Sequence, residues 1–347
     1  MKNAHPCPAG CNANGYALQC AQKLSSSYKK QPKIVFLVMS AVRKPETVDQ
    51  LAKFLAPHTV LVHHDFSQMP AFPLSAPNVV FVPHPKRTGW GLFGFVEGIF
   101  HSMQYALDNL DFDYLQLLSP SCLPIKPIEE FEAHVSGPAE AHFDCVDVLH
   151  DQDALMSIGY RAFTPDNSLQ FRVARRLSNV YFGASLSRRE EAGIWLRSGE
   201  RRNPVSWLAL QFTKALGRQS IGRHIFDENY RAYYGTTWFG ARRHVIAQMV
   251  EQFQRPEIQS YFSRLCLPEE IVLPTLLMQL HLNKGPMNHC FQQFDQAHPR
   301  FFDEEDIDAL KRSPAFFGRK FPDDPTARVR TRVLDEMVGS WSASAGR

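Results

Sequence analysis

Between Lys33 and Leu118, four short apolar runs alternate with helical segments, and this alternation restricts the fold more than any other feature of the chain. KIVFLVMS, from Lys33 to Ser40, shows no polar alternation, so it reads as a strand buried on both faces of a parallel sheet. PETVDQLAKFL (Pro45–Leu55) reads as a helix with proline near its first turn and apolar residues at helical spacing. TVLVHHD is a second buried strand ending in Asp65, NVVFV (Asn78–Val82) a third, Phe93–Leu107 a helix, and Tyr114–Leu118 a fourth strand leading into SPSCLPIKP. Such alternation predicts an α/β fold, with a central, mostly parallel sheet carrying helices on both faces. Ligands of such sheets bind beyond the carboxyl ends of the strands. The segments expected to face a substrate are therefore Ser40–Arg43, Asp65–Ser67, Pro83–Trp90 and Ser119–Lys126.

The chain of 347 residues is long enough for one large domain or two smaller ones. Residues 1–31 read as a flexible tail and 32–347 as a single domain. A formal net charge of +3 argues against nucleic acid as a partner. No apolar run approaches the roughly 20 residues of a membrane span, and the N-terminus lacks the apolar stretch of a signal peptide. The expected location is cytoplasmic. The seven cysteines (Cys7, Cys11, Cys20, Cys122, Cys145, Cys266 and Cys290) are odd in number and sparse, which suits reduced thiols. The spacing of the first three is not a standard zinc pattern. Residues 172–223 hold ten Arg and one Lys against three Glu, a net +8. This stretch is either a solvated helical face or a surface for an anionic lipid or a charged acceptor, with peripheral contact at the inner face of the membrane as one expectation.

Several short motifs carry competing readings. GWGLFG (Gly89–Gly94) matches a dinucleotide fingerprint, but it follows the third strand instead of the first, and no acidic residue ends a following strand at the required distance. DFD (Asp111–Asp113) resembles a metal–diphosphate motif but precedes its strand, at the amino end, where a polar turn is the simpler reading. In HHD (His63–Asp65) the two histidines point to opposite faces of a strand, so they cannot share a metal, whereas a polar strand end can contact a ligand. The carboxylates of PEE (Pro268–Glu270) either compensate a helix dipole or supply a general base at a helix start. FFGRKF (Phe316–Phe321) sets Arg319 and Lys320 between aromatics, an arrangement suited to a diphosphate, and Arg300 in HPRFF is a third candidate cation.

Taken in order, KIVFLVMSAVRKP, VHHDFS, RTGWG, YLQLLSPSCLPIKP, GTTWFGARRHV, LPEEIVLPTLL and HPRFFDEEDIDAL…FFGRKF resemble the Core-2/I-branching β-1,6-N-acetylglucosaminyltransferase family, which includes the peptide O-xylosyltransferases. The resemblance spans about Lys33 to Phe321 and is closest to bacterial members without a membrane anchor. It implies a GT-A-type fold, with a nucleotide-binding part at about 32–150 and an acceptor part at about 151–325. It further implies inverting transfer from a UDP-sugar to a hydroxyl of a glycan or lipid-linked saccharide. No metal cofactor is implied, because basic side chains take its place. By the same resemblance Glu270 is the base, and Arg319, Lys320 and Arg300 are the donor-phosphate cations. Asp65 holds the nucleoside, Thr88 and Trp90 line the donor pocket, and Trp238 lies near the sugar. N-acetylglucosamine is the expected sugar, with xylose as the alternative. A catalytically silent binding relative is a second possibility. Two departures stand out: Cys122 occupies a position that is often acidic, and Thr237 stands where a small or acidic residue is common.

Overall fold

Four consecutive apolar runs pair side by side in the computed structural model, which describes residues 31–41, 44–69, 75–165, 168–181, 186–189, 193–197, 203–222, 226–295 and 298–339. The expected tail, with Cys7, Cys11 and Cys20, lies outside the described residues, as do Val42 and Arg43. Lys33–Arg347 forms one unit of dense contacts. The chain begins with β1 (Ile34–Ser40), α1 (Glu46–Phe54), β2 (Thr59–His64), β3 (Val79–Phe81), α2 (Phe93–Asn109) and β4 (Tyr114–Leu118), in the expected order. There follow β5 (Cys122–Pro124), α3 (Ile128–Val135), β6 (Ala141–His142), β7 (Cys145–Asp147), α4 (Gln152–Tyr160), α5 (Leu169–Tyr181), β8 (Leu186–Arg189), β9 (Ile194–Arg197) and α6 (Pro204–Gly222). The last third holds β10 (Tyr233–Gly235), β11 (Gly240–Arg242), α7 (Arg243–Phe253), α8 (Pro256–Phe262), α9 (Glu269–Met278), β12 (Cys290–Gln292), β13 (Phe294–Asp295), β14 (His298–Pro299), α10 (Ile307–Arg312), β15 (Phe317–Arg319) and α11 (Arg328–Val333).

The main sheet has six strands in the order β3-β2-β1-β4-β11-β6. β1 runs parallel to both β2 and β4, and β2 is parallel to β3, while β11 is antiparallel to its neighbours. All seven residues of β1 are buried, so both faces of the sheet are covered. The two covers differ from the expected pair of helical layers. On one face Met39 and His63 meet α2, which comes so close at Gly98 that a β-carbon there would sit 3.0 Å from either side chain. On the other face Phe36 packs against Phe131 of α3 and Phe317 of β15, with ring centroids 5.8 Å away in each case. A small sheet, β12-β15-β5, thus takes part of the place of a helix. Its strands are short apolar segments that bury their backbone groups by pairing with one another.

The motif GWGLFG has a packing explanation. Gly91 has a positive φ of 73°, and a β-carbon on Gly94 would stand 2.3 Å from the Arg87 carbonyl oxygen. These glycines let the loop fold onto the start of α2. DFD closes the opposite edge of the sheet. Asp113 accepts a hydrogen bond from the Lys33 backbone N–H at 2.8 Å, and Asp111 pairs with the Lys33 ammonium. In the segment YYGTTWFGARR, β10 and β11 belong to different sheets. The break falls at Gly235–Phe239, where a β-carbon on Gly235 would lie 1.9 Å from the Asp144 carbonyl oxygen.

Candidate active site

The carboxyl ends of β1 and β4 open onto two adjoining cavities. The larger, of about 490 Å³, is lined in part by Ser119, Tyr160, Arg161, Tyr234, Trp238, Glu269, Glu270 and Arg319. The smaller, of about 250 Å³, is lined by Ser40, Gln68, Thr88, Gly89 and Trp90 among others. Met39, Trp90, Phe95 and Glu269 line both.

Glu270 enters the larger cavity from the first turn of α9. Its apolar sequel IVLPTLL is buried, which seats the helix and aims its N-terminus at the cleft. The entry is held by backbone bonds from Leu267 N–H to the Gly91 carbonyl (3.1 Å) and from Cys266 N–H to the Arg161 carbonyl (2.9 Å). Glu270 Oε2 accepts from Arg161 Nη1 at 2.5 Å and from Tyr234 Oη at 2.8 Å. Arg161 Nη2 donates to Tyr234 Oη at 3.0 Å, which closes a triangle. Burial, the largest single influence, opposes the Arg161 charge, but Glu270, Tyr234 and Cys266 together outweigh it and hold the guanidinium protonated above its usual range. Both bonds fall on Oε2; Oε1 accepts none among the described residues and remains available for a proton. The helix-dipole reading of PEE does not exclude the general-base one, because the carboxylate at the helix start also lines the cleft.

The neighbouring Glu269 is of a different kind. It is 7% exposed, and its Oε2 has no hydrogen-bond partner. Burial, with Glu270 second, pushes its carboxyl up to about 8. Because the folded value exceeds the unfolded one, the stability attached to the neutral carboxyl is complete below an ordinary pKa near 4.5 and is lost as pH rises through about 8. Within that window the loss runs at roughly 1.4 kcal/mol per pH unit. Glu269→Gln is expected to flatten the fall of stability between about pH 4.5 and about pH 8, as measured by urea unfolding across that range. Equal slopes for parent and variant would refute the assignment.

Arg319 stands at the end of β15. Its guanidinium lies 4.6 Å from the centroid of the Trp238 ring, and its Nε is 3.4 Å from Ser119 Oγ. Trp238 is itself buried. No described carboxylate pairs with Arg319, and burial pulls its pKa below the usual arginine range, against the attraction of Cys122, Cys290 and Glu270. It is a desolvated cation without a carboxylate partner among the described residues. Cys122 is buried below it; its sulfur accepts from the Ser119 N–H at 3.3 Å. Thr237 and Trp238 both line the larger cavity.

The other expected site residues divide. Thr88 lines the smaller cavity and Trp90 both; Trp90 is 62% exposed, with the Arg175 guanidinium 5.7 Å from its ring centroid. Asp65 lines neither cavity. It accepts from Ser67 N–H and Oγ, from Gln68 Nε2, and from Thr88 N–H (2.6 Å) and Oγ1 (3.1 Å). Burial would raise its carboxyl, but these donors hold it well below the usual carboxylate range. Asp65 thus positions the loop that carries Thr88. His63 and His64 bond in different directions, to Lys86 N–H and to Ser40 Oγ with the Met69 carbonyl, as strand alternation requires.

Two expected donor cations are not brought into either lining. Arg300 pairs with Asp306, whose carboxylate also receives the Asp303 N–H, so this cation secures the turn before α10. Lys320 lies 4.3 Å from the centroid of the Phe301 ring, and burial, with Arg319 second, lowers its pKa. The placing of a residue beside a motif does not determine the direction of its side chain, and here Arg319 and Lys320 diverge from adjacent positions. Arg161, Arg175, Arg197 and Tyr234 line the cavity without having been expected there, and Glu269 of PEE joins them. Arg175 and Arg197 carried a signal, since they belong to the +8 stretch; Arg161 carried none. Comparison with protein-family models gives no match, and comparison with curated proteins gives no significant match.

Proposed function

We propose that this chain is an inverting glycosyltransferase that moves a sugar from a UDP-sugar to a hydroxyl of a glycan or lipid-linked acceptor. The observation that carries the reading is one cavity at the carboxyl edge of a parallel sheet, lined by a helix-start carboxylate, Glu270, and by the unpaired, desolvated guanidinium of Arg319. A single displacement needs those two parts. Glu270 takes the proton of the acceptor hydroxyl as its oxygen bonds to the anomeric carbon, and the bond from that carbon to the diphosphate oxygen breaks with inversion. The charge that appears on the departing UDP falls to Arg319, with Arg175 and Arg197 as further cations of the lining. Trp238 offers an apolar face to a sugar ring, and Thr88, positioned by Asp65, serves the nucleoside side. The sequence resemblance favours N-acetylglucosamine as the sugar, with xylose second.

The test is a binding and hydrolysis screen with UDP-GlcNAc, UDP-xylose, UDP-glucose and UDP-galactose, each with and without EDTA. One donor is expected to bind and release UDP slowly, at the same rate with chelator. Binding without any release, even with sugar acceptors added, would favour a silent binding relative; no binding of any donor would end the proposal.

The basic stretch suggests the acceptor's setting. Among the described residues no helix is long and apolar enough to cross a membrane. On α6 the buried face is Ser206, Leu210, Lys214 and Gly217, while Val205, Leu208 and Phe212 form an exposed apolar stripe. Arg172, Arg176 and Arg218 are exposed on α5 and α6, and neither helix carries an acidic residue. We propose that this surface rests on anionic lipid. Arg189 is excluded from that role by its pairs with Asp151 and Asp153, and Arg201 and Arg202 lie outside the described residues. Leu208→Glu with Phe212→Glu is expected to abolish co-sedimentation with phosphatidylserine vesicles; unchanged sedimentation would refute the docking.

A further inference from the structure

Away from the two cavities, three imidazoles converge on one point. His134 comes from the end of α3, His142 from β6, and His289 from the residue before β12. Each offers one ring nitrogen, and the three nitrogens lie within 4.8 Å of one another. Their ring centroids are 4.2 Å (His142–His289), 4.8 Å (His134–His142) and 5.1 Å (His134–His289) apart. None of the three lines either cavity.

The protons can be assigned from the neighbours. Gln116 Nε2 donates to the carbonyls of Leu117 and Phe239, both at 3.1 Å, which orients its amide. Its Oε1 must then accept, so His289 Nδ1 carries the hydrogen of their 2.7 Å bond. His289 Nε2 is left as a bare lone pair, buried and without a partner among the described residues. An imidazole fixed through one nitrogen, with the other free and aimed into a cluster of like groups, is the usual arrangement of a metal-binding histidine. His142 repeats it in part: its Nδ1 is bonded to Tyr114 Oη at 2.8 Å. The edge of the His142 ring is left open by Gly285, where a β-carbon would stand 2.1 Å from Cδ2 and 2.6 Å from Nε2.

We propose that His134, His142 and His289 bind one first-row divalent cation, zinc above all, at a site separate from the sugar-transfer cavity. Three imidazole nitrogens with a fourth position left to a solvent-derived ligand suit tetrahedral zinc, whose bonds of about 2.0–2.1 Å set neighbouring nitrogens about 3.3 Å apart. His134 is the accessible member of the three. Burial, first, then the neighbouring imidazoles (for His142 and His289) and nearby cations (for His134 and His142) lower the pKa of the histidines. Those cations are Lys126 beside His134, and Lys284 and Arg242 beside His142. Their charge favours hydroxide or another small anion as the fourth ligand. A cation here would join the edge strand β6 to α3 and β12 and stabilise the fold by mass action.

The experiment uses the full chain without an added histidine tag, stripped with chelator and then titrated with Zn²⁺ or Co²⁺. The expected result is one metal per chain by elemental analysis, a raised melting temperature, and a cobalt spectrum of tetrahedral type without a thiolate charge-transfer band. His134→Ala, at the accessible position, is expected to stay folded and to weaken binding by at least about tenfold. Donor hydrolysis measured below the melting temperature is expected to be the same with and without zinc. Less than a tenth of an equivalent bound, binding unchanged in His134→Ala, or a thiolate band pointing to Cys7, Cys11 and Cys20 would each overturn the proposal.

Discussion

Glu270→Gln is expected to lower sugar transfer by about 10²–10⁴-fold, the range of a lost general base, while the donor still binds. Glutamine keeps the shape and can accept from Tyr234 and Arg161 through its Oε1, but it cannot take a proton. The substitution also removes the charge opposite Arg161, whose side chain is 14% exposed against 27% for Glu270. Because the pair is only partly buried, the expected cost in stability is about 1–3 kcal/mol, below that of breaking a fully buried pair. Transfer should therefore be measured well below the melting temperature of the variant, with donor affinity from calorimetry beside it. Lost transfer with intact donor binding supports a base; lost transfer and lost donor binding together point to a collapsed cleft; retained transfer excludes Glu270 from the chemistry.

Arg319→Met is expected to divide activity from stability. Removing one preorganised donor to a developing anion costs about 10²–10³-fold in rate. At Arg319 the fold itself gains little from the charge, because the guanidinium is desolvated and no described carboxylate pairs with it. Methionine keeps much of the apolar length against Trp238. The variant is therefore expected to melt at the same temperature as the parent or higher, while turnover of the UDP-sugar falls. A site residue that costs stability in exchange for function behaves in this way. A variant that loses activity only in proportion to lost folding would show Arg319 to be a packing residue.

The placing of Glu270 and Arg319 in one lining shows where sequence reasoning succeeds and where it stops. The runs KIVFLVMS and YLQLL are continuous and apolar because their strands are buried on both faces, and that requirement is local enough to be read residue by residue. The expectation that Ser40, Thr88, Trp90 and Ser119 would stand at the carboxyl edge followed from the same pattern. The second cover of the sheet was not legible, since β5, β12 and β15 have only three residues each and carry no period of their own. The tri-histidine group was equally silent: His289 is far along the chain from His134 and His142, and only the packing of β12 near β6 makes them neighbours.

The cations make the distinction sharpest. Arg300, Arg319 and Lys320 are all basic residues flanked by aromatics, and local sequence offers no reason to separate them. Arg300 meets Asp306 and is neutralised, Lys320 turns to Phe301, and Arg319 alone of the three lines the cavity. Arg161, in the unremarkable segment SIGYRAF, becomes the partner of Glu270 at a separation of 109 residues. What the sequence by itself determined was the strands, their order along the first third of the chain and the edge on which the cavities open, because burial pattern and strand direction are properties of short segments. Which charges are neutralised and which line the cavity unpaired by any described carboxylate was decided only by the tertiary structure, because the energy of a charge depends on the neighbours and the solvent that remain around it once distant segments have packed.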